Sequence, residues 1–430
     1  MTESLLSRRF ATMGRHEPLF YNEPLHLVSA HGVWLTDISG RRYLDAYNNV
    51  PHVGHCHPRI VEALRSQAST LNIHTRYLNE HVVDYSEELL SRFEPSLNRV
   101  LLTNSGSEAN DLAFRMAAQH TGARGILVTD HSYHGNTTLL AGITTGLRTH
   151  EPLAAHVRAF PVPDLDAAEN RDRDEQEILQ EALEQVQRAA EELVAAGHGV
   201  SAVIMETLFS TEGLPRVPEG FVTGVAETVR SAGGLVIADE VQSGLGRLGS
   251  HFWGYQKHGL IPDLVTLGKP LGNGHPVAGV VTTGDLLEEF GSRNEYFNTF
   301  GGNPVSAAVA HEVLRVIDEE QLTQRCAQLG DLVAQRMQQL VQAHPRLGAA
   351  KGSGLFFGLS VFADEDHRQP DGASAKALVE SVKEAGVLLS RIGPSGSVLK
   401  IRPPLALSQQ ELPVLLEAVE QAVGNVLQAP

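Results

Sequence analysis

The stretch Gly234-Leu235-Val236-Ile237-Ala238-Asp239-Glu240-Val241-Gln242 is followed, about thirty residues on, by Leu267-Gly268-Lys269-Pro270. In each, an apolar run ends at or near a charged side chain, and Asp263 to Thr266 leads into the second. Short apolar runs bounded by turn residues read as strands buried on both faces. Two such strands, adjacent and parallel, bring their C-terminal ends to one pocket, with Asp239 and Lys269 at its edge. A carboxylate and an amine there suit a pyridine-aldehyde cofactor. The acid keeps the ring nitrogen protonated, and the amine forms a Schiff base with the aldehyde. Taken singly, Asp239 is as well explained as a helix-capping acid and Lys269 as a solvent-facing lysine. Their conjunction, with Gly244, Gly246 and Gly249 after one and Gly268, Gly272 and Gly274 around the other, points to pyridoxal 5'-phosphate (PLP).

Other apolar runs extend the pattern: Val100 to Thr103, Gly125 to Thr129, Ala202 to Met205, Leu264 to Leu267 and Val277 to Thr282. Helical stretches or long connections separate them, which predicts an α/β chain with a mostly parallel sheet flanked by helices. From Asp164 to Ala196, apolar residues at 179, 183, 186, 190 and 193 recur at steps of three and four, so an amphipathic helix lies outside that sheet. The pattern changes after Asn303-Pro304. A long helical region from Val305 to about Ala343 leads into strand-like Gly352 to Val361, Val387 to Ser390 and Val398 to Ile401. Near the start, Gly32 to Asp37 and Gly40 to Asp45 form a hairpin around Asp-Ile-Ser-Gly turn chemistry. The expected organisation is residues 1–50 packing with a small lobe, 51–305 as the large cofactor-binding lobe, and 306–430 as the small α+β lobe.

Composition narrows the function. The chain has 430 residues, a net charge of −17 and 42% hydrophobic residues. No basic patch offsets the charge, so neither nucleic acid nor an acidic membrane surface is an expected partner. Cys56 and Cys326 are the two cysteines; they argue against a disulfide scaffold and fit a reducing cytoplasm. No apolar run is long enough to span a bilayer.

Thr103-Asn104-Ser105-Gly106-Ser107-Glu108-Ala109-Asn110 follows one strand and opens a helical stretch. Small residues at such a turn let backbone N–H groups approach a phosphate at the positive end of the helix. By itself the turn is as well explained with Ser107 as an ordinary N-cap; beside Asp239 and Lys269 the phosphate reading is better. His131-Ser132-Tyr133-His134-Gly135 follows another strand, where an aromatic ring can lie flat on a cofactor. The cluster His52, His55, Cys56 and His57 has metal-ligand spacing, but no second group of ligands follows it, so no metal is expected.

Together these motifs resemble the class III aminotransferase family of fold-type I PLP enzymes, end to end. Ala238 to Gly249 is similar to that family's cofactor signature. The resemblance implies that Asp239 pairs with the pyridine nitrogen, Gln242 approaches the ring hydroxyl and Lys269 carries the Schiff base. It implies that Gly106 and Ser107 hold the phosphate, Tyr133 stacks on the ring and Glu206 lies nearby, although Thr207-Leu208-Phe209 departs from the common pattern. Thr299, in Asn298-Thr299-Phe300-Gly301-Gly302-Asn303-Pro304, matches a threonine that reaches the phosphate from a neighbouring subunit. A homodimer with shared sites, possibly a tetramer, is therefore implied.

Within the family the chain resembles the ethanolamine-phosphate and phosphohydroxylysine phospho-lyases through Asn48 to Pro58, Thr103 to Leu112, Gly272 to Ala278 and Glu295 to Thr299. Many class III aminotransferases place an arginine three residues before a Pro-Pro pair, where its fork grips a carboxylate. Here Lys400 precedes Pro403-Pro404, with Arg402 just after it. A lysine is a point charge, better suited to phosphate. Arg76, Lys400 and Arg402 are the candidates for a substrate phosphate. The expected activity is elimination of phosphate and ammonia from a phosphorylated amino alcohol, with omega-transamination as the alternative using the same catalytic residues. A non-catalytic member of the fold is disfavoured by the intact Asp239 and Lys269. A dinucleotide-binding oxidoreductase is disfavoured because the turn at Ser105 lacks the required glycine spacing.

Overall fold

The apolar runs assemble into one seven-stranded sheet. Across it the strands follow the order Arg99–Thr103, Ala278–Thr282, Leu264–Leu267, Leu235–Asp239, Ala202–Met205, Ile126–Thr129 and Val157–Phe160. The last five run parallel. Ala278–Thr282 is antiparallel to both its neighbours, so the sheet is mostly rather than wholly parallel. The structure, a computed structural model, describes residues 4–147 and 150–427. Every residue of Ile126–Thr129, Ala202–Met205, Leu264–Leu267 and Ala278–Thr282 is buried, as strands covered on both faces must be. The parallel register sets Asp239 opposite Thr266. The strand ends carrying Asp239 and Lys269 therefore open on the same side.

Val157–Phe160 was not anticipated. Arg158 interrupts its apolar run, which an edge strand tolerates, and its guanidinium reaches Glu192 of the covering helix at 2.9 Å. That helix is Glu175–Ala195, occupying the later part of the expected span. Asp174 caps it by accepting from the N–H groups of Gln176 and Glu177. Ile178, Ala182, Val186, Ala189, Ala190 and Leu193 form its buried face.

Two four-stranded sheets complete the molecule. Leu27–His31, Trp34–Asp37 and Arg42–Asp45 are joined by Val387–Leu388, which runs parallel to Arg42–Asp45. The first fifty residues thus share a sheet with the C-terminal part of the chain. The other sheet is Leu347–Ser353, Phe356–Val361, Val398–Ile401 and Ser390–Ile392, all antiparallel. Three expectations change here. The continuous helix from Val305 to Ala343 is two helices, Pro304–Glu319 and Leu322–Ala343, separated where Gln321 turns through φ +53°. No glycine or proline marks that break, so the apolar period runs straight through it. Gly352 to Val361 spans a hairpin turn, and Val387 to Ser390 divides between two sheets. Among the described residues no helix is long and apolar enough to cross a membrane.

Candidate active site

A cavity of about 190 Å³ opens at the C-terminal ends of the parallel strands, lined by Gly106, Ser107, Tyr133, Glu206, Asp239, Gln242 and Lys269, with His134, Gly135 and Val241. The large sheet supplies Glu206, Asp239 and Lys269 from the ends of three adjacent strands. Loops supply the rest.

Asp239 is 4% exposed. Its Oδ2 receives His134 Nδ1 at 2.7 Å and Asn110 Nδ2 at 3.1 Å, and its Oδ1 receives the Val241 N–H at 3.1 Å. Asn110 also donates to the His134 carbonyl at 2.6 Å, tying the donors to one another. His134 and Asn110 lie inside motifs read from the sequence, but nothing in their spacing signalled that both would serve Asp239.

Lys269 stands at φ +24°, a sparsely populated conformation that costs a non-glycine residue about 1–3 kcal/mol. Much of its surface is accessible, yet it borders the cavity rather than bulk water and is enclosed by protein. That enclosure pushes its ammonium below the usual lysine range. Asp239 and Glu206 oppose the shift, and Arg402 adds to it.

The helix Gly106–Thr121 points its N-terminus at the cavity. Ser105, not Ser107, is the N-cap, accepting from the Glu108 N–H. Ser107 is thereby released, and its Oγ meets Asn136 at 3.1 Å. The first turn leaves the N–H groups of Gly106 and Ser107 without intrahelical carbonyls. A methyl group on Gly106 would stand 3.0 Å from Val241 Cγ2, and one on Gly135 would stand 2.5 Å from Ser107 Oγ. The cradle admits backbone and nothing larger.

Gln242 links this cradle to a buried cation cluster. Its Nε2 donates to Ser210 Oγ at 2.9 Å, which turns Oε1 towards Lys400 Nζ at 3.0 Å and Arg402 Nη1. Lys400 is 6% exposed and Arg402 4%. Lys400 is therefore no surface residue of its strand. Desolvation depresses both; each cation, with Lys269, pushes Lys400 lower, and Arg402 falls to about 10. Glu206 faces the group and accepts the N–H groups of Leu208 at 3.1 Å and Ser210 at 2.6 Å. Tyr47 completes the wall: its carbonyl accepts from Arg402 at 3.2 Å, and Phe20 packs edge-on to its ring at 4.8 Å. Ser210 and Tyr47 carried no recognisable signal in the sequence.

Arg76 and Thr299 lie outside this cavity. Arg76 is exposed and stacks 3.9 Å over the Phe297 ring, in a separate groove lined also by Asn298 and Gly301. Thr299 is exposed beside it, on a segment anchored by Asn298, whose Nδ2 donates to Glu108 at 3.0 Å. The histidine cluster disperses. His52 is fully buried between the Leu245 carbonyl at 2.7 Å and Arg247 at 3.1 Å, His55 meets Asp45 at 2.7 Å, and His57 meets Glu320 at 3.0 Å. Among the described residues no group of three His, Cys, Asp or Glu side chains is placed to hold a metal.

Comparison with known proteins places this architecture. Residues 20–423 match the family model for class III aminotransferases. The chain is 37% identical over 425 residues to a Drosophila melanogaster protein named alanine–glyoxylate aminotransferase 2-like, covering 97% of this chain and 86% of the other. It is 35% identical over 438 residues to the Caenorhabditis elegans ethanolamine-phosphate phospho-lyase homolog 1, covering 98% and 93%. A phospholyase from Arthrobacter, solved in complex with phosphoethanolamine, superposes with a TM-score of 0.96 at 53% identity, covering 99% of this chain and all of the other. The chain is an enzyme of the class III aminotransferase family, with the fold-type I architecture.

Proposed function

We propose that this enzyme holds PLP in the cavity and eliminates phosphate and ammonia from a small phosphorylated amino alcohol such as O-phosphoethanolamine, leaving an aldehyde. One observation carries the reading: Lys400 and Arg402 are buried beside Lys269 with a neutral amide, Gln242 Oε1, between them. Buried cations without a paired carboxylate are costly, and a bound phosphate dianion offsets that cost. The Caenorhabditis relative and the Arthrobacter complex, by their names, act on or hold a phosphorylated ethanolamine, which supports the same choice.

The residues fit the cofactor. The glycine-walled helix N-terminus suits its phosphate, Tyr133 is at hand to stack on the ring, and Asp239 supplies the acid for the ring nitrogen. Bound there, PLP supplies an electron sink for the carbon next to the substrate nitrogen.

The protein's own groups do the remaining work. Asp239, fixed by His134 and Asn110, keeps a proton on the ring nitrogen. Lys269, with its ammonium depressed by enclosure, has the free amine needed to attack the aldehyde and then to take the proton from the substrate carbon. Lys400 and Arg402 grip the phosphate and favour its departure as an anion. In sum, O-phosphoethanolamine and water give acetaldehyde, ammonia and inorganic phosphate.

The alternative, amino transfer to a keto acid or aldehyde, uses the same groups, with Lys269 returning the proton, and the name of the Drosophila relative favours it. Incubation with O-phosphoethanolamine and no keto acid decides. Catalytic phosphate release with matching ammonia supports elimination, whereas an absolute requirement for pyruvate or oxoglutarate makes the enzyme a transaminase.

Arg76 and Thr299 are proposed to act on the site of a second subunit. Leu71, Tyr77, Leu78, Val83, Phe297 and Phe300 are exposed around them, Leu78 completely, as an uncovered dimer face would be. The division near residues 50 and 305 is retained as the lobe boundary. A cytoplasmic setting fits the two free cysteines, Cys56 exposed and Cys326 buried.

A further inference from the structure

Glu212 is a buried acid that the reaction above does not use. It lies six residues beyond Glu206, in a loop bent through φ +54° at Phe209, +104° at Gly213 and +56° at Leu214. The bend returns Glu212 to the neighbouring strand end, where the Thr129 hydroxyl donates to Oε1. Its Oε2 is buried without a hydrogen-bond partner. The small sheet holds the loop from the other side, with the Gly393 N–H donating to the Thr211 carbonyl at 3.2 Å.

Glu206 is the charge that acts on it. The two acids are held differently. Glu206 receives two backbone N–H groups and faces Lys269, Lys400 and Arg402. Glu212 receives one hydroxyl and has an orphaned oxygen. Two carboxylates in one dry compartment do not both ionise readily, and the donors around each decide which keeps the proton. We propose that Glu212 is a positioning residue of the cavity, retaining the proton of the pair so that Glu206 is the ionised acid facing the cation cluster. The inference deepens the function proposed above and rests on it for the identity of the reaction alone.

Burial pushes the Glu212 carboxyl up to about 8, with the Thr129 hydroxyl and the N–H groups of Thr211 and Glu212 opposing and Glu206 adding to the rise. The loop after Thr129 brings Asp130 and His131, and His131 spends its ring hydrogen bond on Gly393. The small sheet presents Gly393 and Val398, neither of them titratable.

The test compares wild-type and Glu212→Gln holoenzyme. Folded Glu212 keeps a proton that the unfolded chain gives up near its ordinary value of 4.5. Wild-type thermal stability should therefore fall relative to E212Q as the pH rises from about 5 to about 8, the gap then staying constant. Turnover, read as phosphate release or amino transfer, should decline in the wild type above about pH 8, up to tenfold per pH unit, and hold level in E212Q. Parallel stability curves, or an alkaline decline common to both proteins, overturn the proposal. Should E212Q fail to fold, Thr129→Val removes a donor that lowers Glu212 and must move the alkaline decline to higher pH; an unmoved decline overturns the proposal equally. Diverging curves in an enzyme that transfers amino groups but releases no phosphate would retire the lyase reading and leave the role of Glu212 standing.

Discussion

His134 and Asp239 meet at 2.7 Å between Nδ1 and Oδ2, with the histidine side chain fully buried and the carboxylate almost so. The pair joins the loop after Ile126–Thr129 to the end of Leu235–Asp239, and it fixes the direction in which the carboxylate faces the cavity. His134 Nε2 is buried without a partner, so the ring is committed to Asp239.

Replacing His134 with Ala should lower turnover by about 10- to 100-fold, the equivalent of the roughly 1.5–3 kcal/mol of a hydrogen bond to a charged group. The same variant should bind PLP more weakly in an absorbance titration. Steady-state rates equal to wild type would assign the histidine to packing alone.

Lys400→Ala and Arg402→Ala should each raise KM for O-phosphoethanolamine by about 10- to 100-fold, because each removes a buried charged donor to the phosphate. An amine without phosphate should be much less affected. Initial rates on the two substrate types make the comparison, and equal losses on both would remove these residues from phosphate recognition.

The depressed Lys400 sets a pH dependence for phosphate binding. Folded Lys400 holds its proton less tightly than the unfolded chain does, so its effect on stability becomes more favourable as the pH rises towards the ordinary value of 10.5. Bound phosphate favours the charged form and opposes this. The gain in thermal midpoint that inorganic phosphate gives the holoenzyme should therefore shrink from about pH 7 to about pH 9. Lys400→Met should abolish that trend, and a gain independent of pH in the wild type would contradict it.

If Thr299 serves the site of a second subunit, Lys269→Ala and Thr299→Ala proteins should each be impaired but complement one another. A mixed dimer holds one site with both residues intact, so reassociated mixtures should recover up to about half the activity per mixed dimer. Activity no greater than the sum of the separate variants would place Thr299 outside any shared site.

The fold was largely readable because strands buried on both faces are continuous apolar runs, as in Ala202–Met205 and Leu264–Leu267. What escaped lacked a local mark. Arg158 disguised the edge strand Val157–Phe160, and the break at Gln321 has no glycine or proline. At the site, Asp239, Lys269 and the Ser105–Ser107 turn were legible because each ends or follows an apolar run. Ser210, Tyr47 and Glu212 were not, since their roles depend on contacts with Gln242, Arg402 and Thr129, all distant in sequence. The likeness that pointed to Arg76 could not show that this residue stands in a different groove from Lys269.

Lys269 and Lys400 are both enclosed lysines at one cavity, both depressed by burial, and the account assigns the cofactor to the first and the substrate phosphate to the second. Borohydride reduction of the holoenzyme, followed by proteolysis and mass spectrometry, identifies which one carries the pyridoxyl group. The account predicts the added mass on Lys269 and none on Lys400. A label on Lys400, or no label on either, would contradict it.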